Sequence, residues 1–279
     1  MSSSARVVRS VAVIAIVLGL TPATGSAQWL NVPDRSTPRL PDGKPNLSAP
    51  APRTSDGKPD LDGKPDLSGI WSTLGVARDP KLPARPVGTP GNVADRLVAG
   101  STIEMLPSAD AIFRQRAADF GGGRPSQHCL PHSIPDAMLI TGVNFKFVQA
   151  KNMWVILFEE FNHYRQILTD GRSLPVDPEP TWFGYSVGHW DGDTFVVETS
   201  GFNDQSWLDD TGHPHTTAMK TTERFVRKDF GHMQVDVTID DPMAYAKPWT
   251  ARIQFALLPD TELLENICEN EIDSAHIGK

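Results

Sequence analysis

Along the second half of the chain apolar and polar residues alternate with a period of two, the spacing of a strand that buries one face. The strand predicted at 232–239 shows it most cleanly, with Met233, Val235, Val237 and Ile239 on one side and Gln234, Asp236 and Thr238 on the other. Residues 249–258 repeat the alternation with Trp249, Ala251, Ile253, Phe255 and Leu257. Further short runs at 145–150, 153–158, 163–168, 183–190, 194–200, 220–227 and 262–268 bring the predicted strands to nine. Asp191-Gly192, between two of these runs, is the strongest short-range signal for a hairpin. Nine consecutive strands, mostly one-sided, predict an all-β fold: an up-and-down antiparallel β-barrel of the calycin or lipocalin type, closed because closure removes exposed edges.

The first third lacks this pattern. The phrase DGKP(N/D)L occurs at 42–47, 56–61 and 62–67, and each copy carries a Lys and a Pro, so none can present a buried face. Residues 28–67 therefore read as a disordered tether. Gly69-Ile70-Trp71 follows, and resembles the Gly-x-Trp that opens many lipocalins. Residues 74–142, rich in Pro and Gly, read as a segment wrapped around the sheet, with one short helix from Ala109 to Asp119 capped by Ser108 and ended by Gly121-Gly122-Gly123. The predicted organisation is one barrel domain over 68–270 and a C-terminal tail over 271–279.

Residues 1–27 add a location. Arg6 and Arg9 precede the apolar run from Val11 to Leu20, and Gly25-Ser26-Ala27 stands before Gln28, the layout of a cleaved secretory signal. The apolar run is about half of the ~20 residues that span a bilayer, so no integral membrane segment is expected after cleavage, and the product is expected to be periplasmic or secreted. Cleavage removes two arginines and no acid, leaving 24 basic against 34 acidic side chains. That balance makes nucleic acid and anionic membrane surfaces poor partners and favours a small-molecule ligand. Cys129 and Cys268 are the only cysteines, and an oxidising compartment favours a bridge between them.

In a meander the links alternate between the two ends of the sheet. Tight links at 191–193, 228–231 and 259–261 then share one end, and long links at 169–182, 201–219 and 240–248 share the other. Binding groups collect on long loops held by a rigid scaffold. The predicted ligand-binding residues at that end are Trp182, Trp207, Asp209, His213 and Tyr245. A catalytic alternative there, a lyase, isomerase or hydrolase, uses Asp170 or His215 as base and Arg172 to stabilise an oxyanion. A third reading is an interaction module of the cell envelope. His213-Pro214-His215, with Asp209 or Asp210, is the one sequence-local divalent-metal candidate, and its spacing lacks a third-ligand signature, so no metal or other cofactor is predicted. His163 is placed at the tight end, away from this set, and Glu198 reads as a surface residue paired across its hairpin.

The sequence holds no Gly-x-Ser-x-Gly elbow, Walker or Rossmann loop, His-Glu-x-x-His or Cys-x-x-Cys. Its phrases Pro65-Asp66-Leu67-Ser68-Gly69-Ile70-Trp71, Cys129-Leu130-Pro131, Thr169-Asp170-Gly171-Arg172, Gly192-Asp193-Thr194, Val196-Val197-Glu198-Thr199 and Cys268-Glu269-Asn270 resemble a group of exported, functionally uncharacterised proteins of soil bacteria, over most of residues 65–270. The resemblance implies export and brings no activity or catalytic residues with it. His189 stands where that pattern has an arginine.

Overall fold

A computed structural model describes residues 33–54, 63–75, 91–119, 121–140 and 143–268. The predicted leader, the second DGKP copy and the C-terminal tail lie outside these residues. Nine strands form a closed barrel in chain order: β1 (Gly69–Thr73), β2 (Asn144–Ala150), β3 (Met153–Phe158), β4 (Tyr164–Leu168), β5 (Tyr185–Asp191), β6 (Thr194–Ser200), β7 (Lys220–Arg227), β8 (His232–Asp240) and β9 (Trp249–Leu257). The barrel is the fold that the alternation predicts. Its membership differs at one position. Residues 262–268 form no strand, and their one isolated backbone bridge joins Asn266 to Glu160. The edge of β9 is already taken by β1, with Trp71 opposite Leu257 and Thr73 opposite Phe255, so no partner remains for a tenth strand.

The second difference is one of direction. β4 and β5 run parallel over only two rungs, Ile167 with Ser186 and Leu168 with Val187, whereas every other neighbouring pair is antiparallel. Residues 169–184 therefore cross from one end of the barrel to the other instead of staying at one rim. The tight links at 192–193 and 228–231 do share an end, and 201–219 and 241–248 share the opposite one. His163, in the 159–163 link, lies at this second end, contrary to the placement an all-antiparallel meander gives it.

Aromatic side chains fill the interior. Phe147 meets Phe225 across the barrel with centroids 5.4 Å apart, Trp154 meets Phe195 at 6.0 Å, and Phe145 meets Phe255 at 5.0 Å. Each fully buried ring contributes roughly 2–3 kcal/mol by area. Gly188 makes room for this packing: a Cβ there would lie 2.6 Å from Phe195 Cζ and 2.8 Å from Ile167 Cγ2. Into the same interior β4 sends Arg165 and β7 sends Glu223, which are 2% and 0% exposed. They form a bidentate pair at 2.9 and 2.5 Å, and Arg165 also donates to Ser186 Oγ at 3.1 Å and to Thr199 Oγ1 at 2.8 Å. Trp71 donates its indole N–H to Leu67 O at 3.0 Å, and the Arg227 guanidinium lies 4.9 Å from its ring.

The described parts of the repeat region are docked, which corrects the tether expectation for residues 33–54 and 63–67. The first DGKP copy closes a turn in which Leu40 N–H donates to Lys44 O at 2.8 Å, and the third pairs with Thr54 N–H donating to Lys64 O at 2.9 Å. Arg39 holds Asp260 and Arg53 holds Asp193, both turn residues of the barrel. The expectation that no copy presents a buried face also fails: Leu67 of the third copy lies in the core at 0% exposure and Leu47 of the first packs against it. Helix α1 (Pro107–Ala118) begins slightly ahead of the predicted start, because Pro107 with its fixed φ suits the first turn.

Candidate functional site

Cys129 and Cys268 are bonded. The bridge fastens the wrapping segment to the chain that follows β9. Glu159 reinforces that junction, its carboxylate accepting from Leu264 N–H at 3.0 Å and from Asn144 N–H at 3.1 Å. Three residues beyond Cys129, His132 is delivered to the link between β3 and β4, and it is 5% exposed there. Its Nδ1 meets the Glu160 carboxylate in a short contact. Its Nε2 lies 3.2 Å from Asp210 Oδ1 and 3.5 Å from Asp136 Oδ2. Burial alone pushes the His132 pKa down, but Asp136, Asp210 and Glu160 outweigh it and hold it well above the ordinary histidine value. Burial pushes Asp136 well above the usual carboxylate range; His132 opposes this, and Asp210, Asp209 and Glu160 add to it.

Beside this cluster the short β4·β5 seam leaves a cleft of about 530 Å³, lined by His163, Tyr164, Arg165, Trp182, Phe183, Tyr185 and Ser186 among others. Phe161 connects the two places. Its ring is 6.4 Å from that of His132 and 6.1 Å from that of His163, and its φ of 52° is in the left-handed region that bulky residues avoid. Ser133 also reaches the cleft, donating its hydroxyl to Trp182 O. Burial lowers the His163 pKa, so the ring is neutral near pH 7, and its Nε2 is buried with no hydrogen-bond partner.

The predicted site residues divide among three places. Asp170 and Arg172 form an exposed ion pair at 2.5 to 3.0 Å, with Arg172 also donating to the Tyr185 hydroxyl at 3.0 Å. The hydrogen bond from Arg172 holds the Asp170 carboxyl below its usual range. Trp182 lines the cleft. The others belong to the 201–219 link and its supports. Asp209 accepts from Thr211 N–H and Oγ1, Gly212 N–H, His213 N–H and Val93 N–H, and lies 2.8 Å from His213 Nδ1, so its carboxylate organises the loop. Trp207 is buried with Arg116 4.3 Å from its ring centroid, and Tyr245 donates to Pro214 O at 2.6 Å.

His215 does not join Asp170 and Arg172 or share an ion site with His213. Its Nδ1–H donates to Thr216 O at 3.2 Å and its Nε2 accepts from Ser206 Oγ at 2.7 Å. A serine hydroxyl against a histidine has the look of a nucleophile and base, but Nδ1 faces a backbone carbonyl where a carboxylate would orient it, and Ser206 is 1% exposed. Glu198 and His189 are exposed on the outer wall.

Sequence reasoning missed His132, Asp136 and Glu160. The one signal pointing to them is the cysteine pair, since a bridge from Cys129 to Cys268 brings His132 to that rim. The chain matches no protein-family model, no curated protein and no solved structure.

Proposed function

We propose that the chain is an exported binding protein that takes a small amphipathic molecule in the cleft along the β4·β5 seam. The observation that carries this reading is His163: a neutral imidazole lining an aromatic cleft, with a buried Nε2 that has no hydrogen-bond partner in the protein. A buried polar atom without a partner is rare in native proteins, and a ligand or water that completes it is one of the few explanations for it. Trp182, Phe183 and Tyr185 offer an apolar wall, and the cleft volume of about 530 Å³ lies within the range of small-molecule sites. The ligand this chemistry selects has an apolar body and one hydroxyl or carbonyl for Nε2. The aromatic filling of the barrel axis favours this side cleft over a cup inside the barrel. Export is supported by the layout of residues 1–27 together with the disulfide.

The test is a fluorescence titration of the mature chain with 1-anilinonaphthalene-8-sulfonate, an amphipathic aromatic probe. Saturable binding is expected, weakened about tenfold by Trp182→Ala and by His163→Phe, the loss of one anchoring contact of ~1.4 kcal/mol. An absence of saturation, or an affinity untouched by both substitutions in folded protein, removes the proposal.

A further inference from the structure

We propose that His132, Asp136 and Asp210 form a binding site for one divalent first-row cation of the Zn²⁺ or Mn²⁺ kind, with Glu160 orienting the histidine from behind. The inference stands apart from the aromatic cleft and rests on four observations.

The three residues present one nitrogen and two oxygens that all lie within 4.8 Å of one another. Two of the three separations are 3.2 and 3.5 Å. A cation with bonds of about 2.1 Å sets neighbouring ligand atoms about 3.0 Å apart in an octahedron and about 3.4 Å apart in a tetrahedron. The spacing around Nε2 already has the size of a coordination polyhedron.

Orientation is the second observation. Glu160 occupies Nδ1, so once a cation displaces the Nε2 proton the remaining proton belongs on Nδ1 and the Nε2 lone pair is aimed at the space shared with Asp136 and Asp210. A carboxylate holding the far nitrogen of a histidine is the usual support behind a metal-bound imidazole.

The third is Asp136 itself. It is 2% exposed, yet its Oδ1 has no hydrogen-bond partner. Carboxylates buried this deeply normally accept several hydrogen bonds. Asp209, one residue from Asp210, is saturated with donors from its own loop and from Val93 N–H. The contrast marks Asp136 as the acid whose partner is supplied from outside the chain.

Finally, a dication that displaces the protons of this cluster would be balanced by the two facing carboxylates, and the mixed imidazole and carboxylate set suits Zn²⁺, Mn²⁺ or Fe²⁺ better than soft Cu(I). The remaining neighbours of Asp210 are Ser126 Oγ and Arg124 Nε, each 3.4 Å from Oδ1. Phe161 stacks near His132, with ring centroids 6.4 Å apart.

The experiment is calorimetric titration of the mature, disulfide-intact chain with ZnCl₂ and MnCl₂ after removal of metal by chelator, with elemental analysis of the loaded protein. One equivalent is expected to bind. His132→Gln and Asp136→Asn should each weaken binding about 100-fold and Glu160→Gln about tenfold, while His213→Gln leaves it unchanged. Folding of each variant is followed by near-ultraviolet circular dichroism. If the folded wild-type chain binds neither ion stoichiometrically, the proposal is overturned without recourse to any variant. Binding that survives both His132→Gln and Asp136→Asn, or that vanishes only in His213→Gln, overturns it too and moves the ion to the Asp209 and His213 pair.

Discussion

The Arg165 and Glu223 pair inside the barrel allows a test with a definite sign. Replacing Arg165 by Met keeps much of the side-chain volume but leaves the Glu223 carboxylate, 0% exposed, facing aromatic rings and two hydroxyls. Breaking a buried pair from one side costs about 3–5 kcal/mol, because the remaining ion keeps its desolvation penalty and loses its compensation. Ser186 Oγ and Thr199 Oγ1 lose the guanidinium but stay 3.0 Å apart and keep a bond to each other, which limits the additional cost. Removing both charges, as Arg165→Met with Glu223→Leu, takes away the penalty together with the attraction. Exchanges of this kind range from neutral to stabilising. The double variant should therefore recover most of the ~3–5 kcal/mol lost by the single one. Equilibrium unfolding in urea, followed by tryptophan fluorescence and repeated for both single variants, gives the coupling. If the double variant is as unstable as Arg165→Met, the cost lies in packing and hydroxyl satisfaction, and the electrostatic account of this core is wrong.

The disulfide encloses a sequence separation of 139 residues, for which loop-closure entropy gives a loss of about 5 kcal/mol on Cys129→Ser with Cys268→Ser. Urea unfolding of this double variant should show that loss, and no change in midpoint would contradict it. His215 gives a pH dependence. Burial, and secondarily Arg116, lower its folded pKa below the unfolded value of about 6.5, while Thr216 O, Asp241 and Asp204 act the other way. Its contribution is fully present above pH ~6.5 and is lost as pH falls toward the folded value, at no more than ~1.4 kcal/mol per pH unit. His215→Gln should flatten the acid side of the stability curve measured by thermal unfolding, and an unchanged slope refutes the assignment.

The alternation of Met233, Val235, Val237 and Ile239 was enough to read β8, and Asp191-Gly192 enough to read the hairpin of β5 and β6, because both depend on local geometry. Gly192, with φ of 59°, sits where that turn needs a left-handed residue. The parallel β4·β5 seam was not legible, since alternation reports which face is buried and says nothing about strand direction. Residues 262–268 look like a strand in isolation, and only the competing claim of β1 on the edge of β9 rejects them. The His132 cluster was hidden for a related reason. His132 and Asp210 are 78 residues apart, and His132 lies in a Pro-rich stretch without periodicity. Its neighbours are set by tertiary closure, whereas Asp209 and His213 share one loop and were visible as a local group.

The rungs that close the barrel join Trp71, near the start of the described sheet, to Leu257, at the end of its last strand. A chain delivered from its N-terminus through a secretion channel would thus carry β1 to β8 as an open sheet, with unpaired backbone along two edges, until residues 249–257 emerge. Contacts so distant in sequence form late and slowly. During that interval the exposed edge of β1 is a target for other chains, so a block to the release of the last forty residues is expected to produce aggregation where a similar truncation at the N-terminus, ahead of residue 33, leaves a ring that can still shut.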